Sequence, residues 1–381
     1  MAANAVAAPP ARRPEWVDNI GGQLLSVVLA MAFALFVGGL IILGYGESPI
    51  DVYSTILKFS FQDASSFGYV LQIATPLIFS ALAVAICFKG GLFNIGVEGQ
   101  YLVGMLTASW AALNLTFLPG PLLMWGALLF AMLGGMAWGL IPAVLKVKTG
   151  AHEVVTTIML NGIAVNLLGW ALNGPLKYRQ EGGQVAARTP NFAENALVPD
   201  LGHLFGIRES VHLSWLFPLA LVAAVVVWFV IRRMRLGYEA RVVGSTPGAA
   251  RAGGISVGSV QIKLFAISGA LAGLIGMQQL LADKGYLPVN FVSALGFTGI
   301  AVAFLGQNNP GGIVFAAILW GVLSRGESAL QLETDMPREF IIILQGILIL
   351  SVMIIYQIAQ RRLARRRIQA AAAVQLEAEV A

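Results

Sequence analysis

The sequence predicts an all-α, polytopic membrane protein with about ten transmembrane helices, and three observations carry that prediction. The 381-residue chain is 57% hydrophobic and only 11% charged, where an ordinary soluble domain carries about 25% charged residues. Uncharged apolar runs recur along it, and the first, Leu24 to Gly44, matches the roughly 20 residues that cross a bilayer. Basic residues cluster beside such runs, as in Arg232 to Arg235 and Arg361 to Arg367.

The chain opens on a tail, residues 1–23, that lacks the apolar core of a signal peptide. After Leu24 to Gly44, further runs begin near Tyr69, Leu92, Pro121, Val154, Leu213, Gln261 and Phe340. Two shorter ones cover Val292 to Leu305 and Gly311 to Leu323. Runs of this length suit either two crossings or a re-entrant hairpin, and the uncharged "GQNNPGG" between them permits a buried tip.

Lys and Arg at helix ends stay in the cytoplasm. With Arg12, Arg13, the "LKVK" of Leu145 to Lys148, the arginines after Ile231 and the C-terminal tail inside, both termini are cytoplasmic. The transmembrane domain then runs over 24–358, with 174–212 as an extracellular loop, 232–258 as a cytoplasmic loop and 359–381 as a basic tail. It divides into two inverted halves of about five segments, Leu24 to Asn173 and Leu213 to Tyr356. Polar, glycine-bearing breaks recur in both: "NIGVEG" in the first half and "GFTG" (Gly296 to Gly299) in the second. Such paired breaks point to a transport pathway.

The stretch "FKGGLFNIGVEGQYLVGM", Phe88 to Met105, looks at first like a phosphate-gripping loop. The chain carries no G-x-x-x-x-G-K-[ST], so that reading fails. If the third segment re-enters as helix at Gly91, Glu98 lies roughly 13 to 14 Å beyond Lys89, near the middle of a ~30 Å core. A carboxylate there costs about 2.5 kcal/mol or more without a partner or a wet cavity. Asn94, Glu98 and Gln100 therefore face either a substrate route or an interhelical hydrogen-bond network. Glu153, Thr157 and Asn161 recur every four residues and form one polar stripe, with His152 at the helix entrance. This stripe suits helix packing as well as substrate contact. In the cytoplasmic loop, Thr246 suits an N-cap, Pro247 a first helical position, and Gly253 and Gly254 a stop. Isolated helices this short are marginal in water, which favours a docking element over a plain basic loop.

"GGLFNIGVEGQ", "AHEVVTTIMLNGIAVN", "GFTGIAVAFLGQNNPGG" and "MPREFIIILQGILIL", in this order, resemble permease subunits of bacterial binding-protein-dependent ABC importers. The branch is the one serving simple sugars, nucleosides and branched-chain amino acids, and the resemblance covers about Leu24 to Tyr356. It implies a second, homologous permease, a cytoplasmic ATPase that uses ATP and magnesium, and an extracellular substrate-binding lipoprotein. The chain itself would bind no cofactor and no metal, and would sit in the bacterial inner membrane. Its cargo would be a nucleoside or, alternatively, a sugar, along a path that includes Asn94, Glu98, Gln100, Glu153, Thr157, Asn161, Phe291 and Thr298. Phe93 and Phe291 are candidates for stacking on a base. Glu239, Thr246, Pro247 and Arg251 would couple to the ATPase. "EARVVG" places its glycine one position earlier than the E-A-A-x-x-x-G of other ABC permeases, and Gln307 stands where many relatives carry a basic residue.

Other classes fit less well. An ion-coupled transporter could use Glu98 and Glu153 as proton carriers, but it needs no docking helix. The basic clusters are topology signals rather than a nucleic-acid surface. The single cysteine, Cys87, excludes an intrachain disulfide, and no nucleophile–base pair supports an enzyme.

Overall fold

A computed structural model describes residues 15–178, 188–208, 210–289, 291, 294–333, 337, 339–352, 354, 355 and 358. Residues 1–14 of the expected N-terminal tail, and the expected tail 359–381, lie outside these. The described residues fall into two compact units, one of those up to 49 together with those from 342 on, and one of those between 50 and 341. The first contains α1 (Glu15–Gly44), whose helix begins nine residues (24 − 15) before the expected Leu24.

In the second unit α2 (Pro49–Phe61) is a helix that the apolar runs did not reveal. It is followed by α3 (Ala64–Lys89), α4 (Val97–Asn114), α5 (Pro121–Thr149) and α6 (Glu153–Asn173). Beyond an irregular loop come α7 (Leu216–Arg233), α8 (Arg235–Ser245), α9 (Pro247–Ala252) and α10 (Val257–Gly273), which continues as a π-turn over Gln278–Lys284. Then follow α11 (Leu295–Leu305), α12 (Pro310–Glu333) and α13 (Glu339–Val352), whose residues from 342 belong to the first unit. Each expected apolar run contains a helix, and among the described residues six helices, or seven if the bent pair α1–α2 is one span, are long and apolar enough to cross a membrane. Of the short pair, α12 is 24 residues long, enough to span, while α11 has 11 and reaches only about 16 Å.

The third run departs from expectation. Its helix starts at Val97 rather than Gly91, so residues 90–96 enter as irregular backbone. Helix α3 is the central element, with 83% of its apolar window buried against 28% for α7. Its N-terminus is capped by Asp63, whose side chain accepts from the Ser66 amide at 2.6 Å.

Helices α4, α5 and α10 cross closely through small residues. A methyl at Gly135 would stand 2.2 Å from the Gly269 carbonyl oxygen, and one at Gly104 2.6 Å from the Gly273 Cα. Bilayer packing lacks a hydrophobic drive between helices, so such close backbone approach supplies the dispersion contact instead.

The described part of the loop before α7 forms a cap on the end of α10. Thr189, Phe192 and Val198 donate their amides to the carbonyls of Leu287, Gly285 and Leu281. Gln278 of the π-turn accepts from Ser214 Oγ at 2.6 Å and donates to the His212 carbonyl at 2.5 Å. A π-turn re-aims side chains in mid-helix, and here it turns Gln278 onto the loop.

Candidate functional site

Two helices begin inside the second unit at the same level and run in opposite directions. Helix α11 runs alongside α3, from Ser80, whose hydroxyl donates to the Leu295 carbonyl at 3.0 Å, to Phe88, which packs edge-on against Phe304. Helix α4 runs the other way, alongside α10, from Asn94 beside Ser268 to Met105 beside Gly276. The shared starting level lies about 13 to 14 Å along α3 from Lys89, at 1.5 Å per residue. Glu98 reaches that level on irregular chain rather than on the expected helix.

Glu98 joins the two starts. Its Oε1 accepts from the Ala294 amide at 2.7 Å and the Tyr101 hydroxyl at 3.1 Å, and its Oε2 from the Gly296 amide at 2.8 Å. The carboxylate is 4% exposed. Amides at a helix start have no partner within the helix, and the helix dipole favours negative charge there. One buried charge thus satisfies the first turn of α11 while standing in the first turn of α4. Gly296 permits the approach, since a Cβ there would lie 2.5 Å from the Glu98 nitrogen. Ala294 adopts φ 75°, a left-handed conformation unfavourable for a residue with a Cβ.

The start of α4 is held by amide side chains. Asn94 Nδ2 donates to Gln100 Oε1 at 3.1 Å and to Ser268 Oγ at 2.9 Å, and its Oδ1 accepts from the Gly96 amide at 3.0 Å. Asn161 on α6 accepts from the Gly99 amide at 2.8 Å and donates to the Ile95 carbonyl at 3.0 Å. Thr157, one turn earlier, packs on Gly96 and bonds back to the Glu153 carbonyl at 2.7 Å. Glu153 pairs with Lys146 Nζ at 2.6 Å, and the exposed His152 accepts from the Val154 amide at 3.3 Å at the helix entrance.

The structure thus brings Asn94, Glu98, Gln100, Thr157 and Asn161 together. Glu153 stands further along α6, at its start. Thr298 lies half-buried on α11 with its hydroxyl on the Ala294 carbonyl at 2.9 Å, and Phe291 is half-buried in the non-helical segment before α11. Phe93 stacks with Phe304, at 6.3 Å between ring centroids. Ser80, Tyr101, Ser268 and Lys146 are members of this site that sequence reasoning missed. Lone hydroxyls in apolar helices carry little signal, and Lys146 was absorbed into a topology cluster.

The loop over residues 232–258 forms two helices where one was expected. On α8, Glu239 pairs with Arg235 at 2.6 Å, and Arg241 donates to the Ile231 carbonyl. Helix α9 covers Pro247–Ala252 with Pro247 first, and Gly254 leaves it at φ 77°. Thr246 occupies the N-cap position, but its side chain makes no capping bond; its backbone amide closes α8 on the Val242 carbonyl at 2.9 Å. Arg251 is exposed and borders an open cavity of about 670 Å³ with Lys146 and Gln261. Ala250 is fully buried in a cluster with Cys87, Leu92, Val243 and Leu264.

The family described as "Branched-chain amino acid transport system / permease component" matches residues 66–355. The guanosine ABC transporter permease NupP of Bacillus subtilis is 37% identical, covering 88% of this chain and 94% of its own length. The glucose ABC transporter permease TsgB13 of Haloferax volcanii is 33% identical over 88% of this chain and 87% of its own. The nucleoside ABC transporter permease NupB of Lactococcus lactis is 33% identical over 81% and 85%. Matches to ABC permeases over most of the chain set the ion-coupled reading aside. The chain belongs to the branched-chain amino acid transport system / permease component family, as a multi-pass permease subunit of an ABC importer.

Proposed function

We propose that this permease carries a nucleoside across the inner membrane. Similarity to the guanosine permease, at 37% identity over nearly the whole chain, is the observation that carries this reading. In this proposal the chain spans the membrane about ten times in two inverted halves with cytoplasmic termini. It pairs with a second permease, receives cargo from an extracellular binding lipoprotein, and is driven by a cytoplasmic ATPase that uses ATP and magnesium. Helix α9 docks on that ATPase, with Pro247, Arg251 and Glu239 on or behind the docking face.

The proposed cargo path runs beside the junction of α4 and α11. Asn94, Glu98, Gln100, Thr157 and Asn161 have their polar atoms engaged within the protein, so they shape the path by holding two helix starts in place. Phe291 and Thr298 are more open and stand closer to direct contact. Opposed helix starts at mid-membrane suit alternating access, because each half can rock about a shared pivot.

A sugar cargo is the second reading, favoured by the 33% identity to the glucose permease. Vesicles containing the permease pair and the ATPase, with the binding protein outside and ATP inside, distinguish them. Uptake of guanosine competed by other nucleosides but not by glucose supports the nucleoside reading. Glucose uptake insensitive to nucleosides would replace it.

A further inference from the structure

The contact between Gly244 and the turn at residues 89–91 joins the cytoplasmic helices directly to the break before α4. A Cβ at Gly244 would lie 2.6 Å from the Lys89 carbonyl oxygen, 2.8 Å from the Gly91 nitrogen and 2.9 Å from the Gly90 carbonyl carbon. Gly91 itself adopts φ 69°, and a Cβ there would meet the Gly244 Cα at 3.0 Å. Backbone therefore lies on backbone, with no side chain between to absorb movement.

Both sides of this contact lead to functional elements. Gly244 stands in the last turn of α8, and α9 starts three residues later (247 − 244). Gly91 opens the irregular segment that carries Asn94 and delivers Glu98 to the start of α11. Around the glycines, Val243 and Ala250 from the cytoplasmic helices share one buried cluster with Cys87 and Leu92 on either side of the turn. Packed interiors are stiff and transmit displacement, so a push on α9 reaches residues 90–96 through this cluster.

We infer that Gly244 and Gly91 are positioning residues for transport, which pass movement of the ATPase-docking helix to the α4–α11 junction. This rests on the reading of α9 as the ATPase-docking element. A side chain at 244 would hold α8 away from the turn, so that ATP hydrolysis continues while the junction no longer follows.

The test compares wild type, Gly244→Ala and Gly162→Ala in vesicles with the ATPase, second permease and binding protein. Gly162 is the control, since a Cβ there meets nothing within 4 Å. Wild type and Gly162→Ala should show equal uptake per ATP hydrolysed. Gly244→Ala should keep the ATPase bound and its basal hydrolysis, while uptake per ATP falls at least 10-fold. Unchanged uptake per ATP in Gly244→Ala would overturn the inference and leave the importer reading standing. Absence of ATP-dependent uptake in wild type would overturn both. If Gly244→Ala fails to assemble, hydrogen–deuterium exchange on the wild-type complex decides. Exchange over residues 90–96 should differ at least 3-fold between nucleotide-free and vanadate-trapped states, with residues 162–168 unchanged. Equal exchange over 90–96 overturns the inference.

Discussion

At the start of α4, three side-chain amides from two helices and the entering loop share the work. Asn94, Gln100 and Asn161 place at least five hydrogen bonds on residues 94–100 and Ser268. At the start of α11 one carboxylate takes two amides, and Ser80 of α3 donates to the Leu295 carbonyl. The first start is tied redundantly and backed by α8 and α9, while the second hangs on Glu98. Redundant neutral bonds make a fixed anchor. A single charge on a strained N-cap makes a joint whose position depends on that charge.

Breaking the joint should therefore have the largest effect. Glu98→Ala leaves the Ala294 and Gly296 amides without their acceptor, a loss on the order of 3 to 5 kcal/mol. It should abolish uptake and sharply lower thermal stability in detergent. Glu98→Gln is milder but not conservative. Both carboxylate oxygens accept from backbone amides, so the new NH₂ must face one of them. One buried donor is left unpaired, costing about 1 to 3 kcal/mol, and uptake should fall at equal membrane abundance.

Loosening the anchor comes next. Asn161→Ala removes two neutral bonds but leaves Asn94 and Gln100 in place, so a loss of about 1 to 2 kcal/mol is expected. Thermal stability and uptake should fall together, less steeply than in Glu98→Ala. If Asn161→Ala proves the more damaging, the contrast between anchor and joint is wrong.

How much of this was legible in the sequence depends on what each element needs from distant parts of the chain. Long helices announced themselves because length and apolarity alone make a span. Helix α2 did not, since "PIDVYSTILKFSF" is short and carries Asp51 and Lys58. Helix α8 carries no such mark, because its buried face is only Gly237, Ala240 and Val243 on a short segment. In the site, the four-residue spacing of Glu153, Thr157 and Asn161 correctly gave one buried stripe. The hold of Glu98 on α11 could not be read, because those two partners lie 196 and 198 positions away and are backbone amides without a residue signature. The missing cap at Thr246 was not legible either: the residue joins α8 to α9 directly at φ −148° and ψ 85°, and local rules treat each helix end separately.

Smaller changes sharpen the comparison. Ala294→Gly should relieve the left-handed strain at the joint and stabilise the protein by up to about 1 kcal/mol, read as a higher melting temperature. Thr246→Ala should change stability by under about 0.5 kcal/mol, since no capping bond is lost.

Last in size is Asp63. The Ser66 amide, with help from Arg208, holds its carboxyl below the usual carboxylate range. A depressed carboxyl pKa stabilises the fold above its ordinary value, and that contribution is lost as pH falls through the lowered one. Asp63→Asn should therefore flatten the acid side of the stability–pH profile and leave stability near pH 7 slightly lower.

The central claim is that the Glu98 carboxylate holds the first turn of α11. Amide hydrogen–deuterium exchange in wild type and Glu98→Gln tests it most directly. The account predicts faster exchange at the start of α11, residues 294–298, with protection across residues 99–105 of α4 little changed. Equal protection of 294–298 in the two proteins would contradict it.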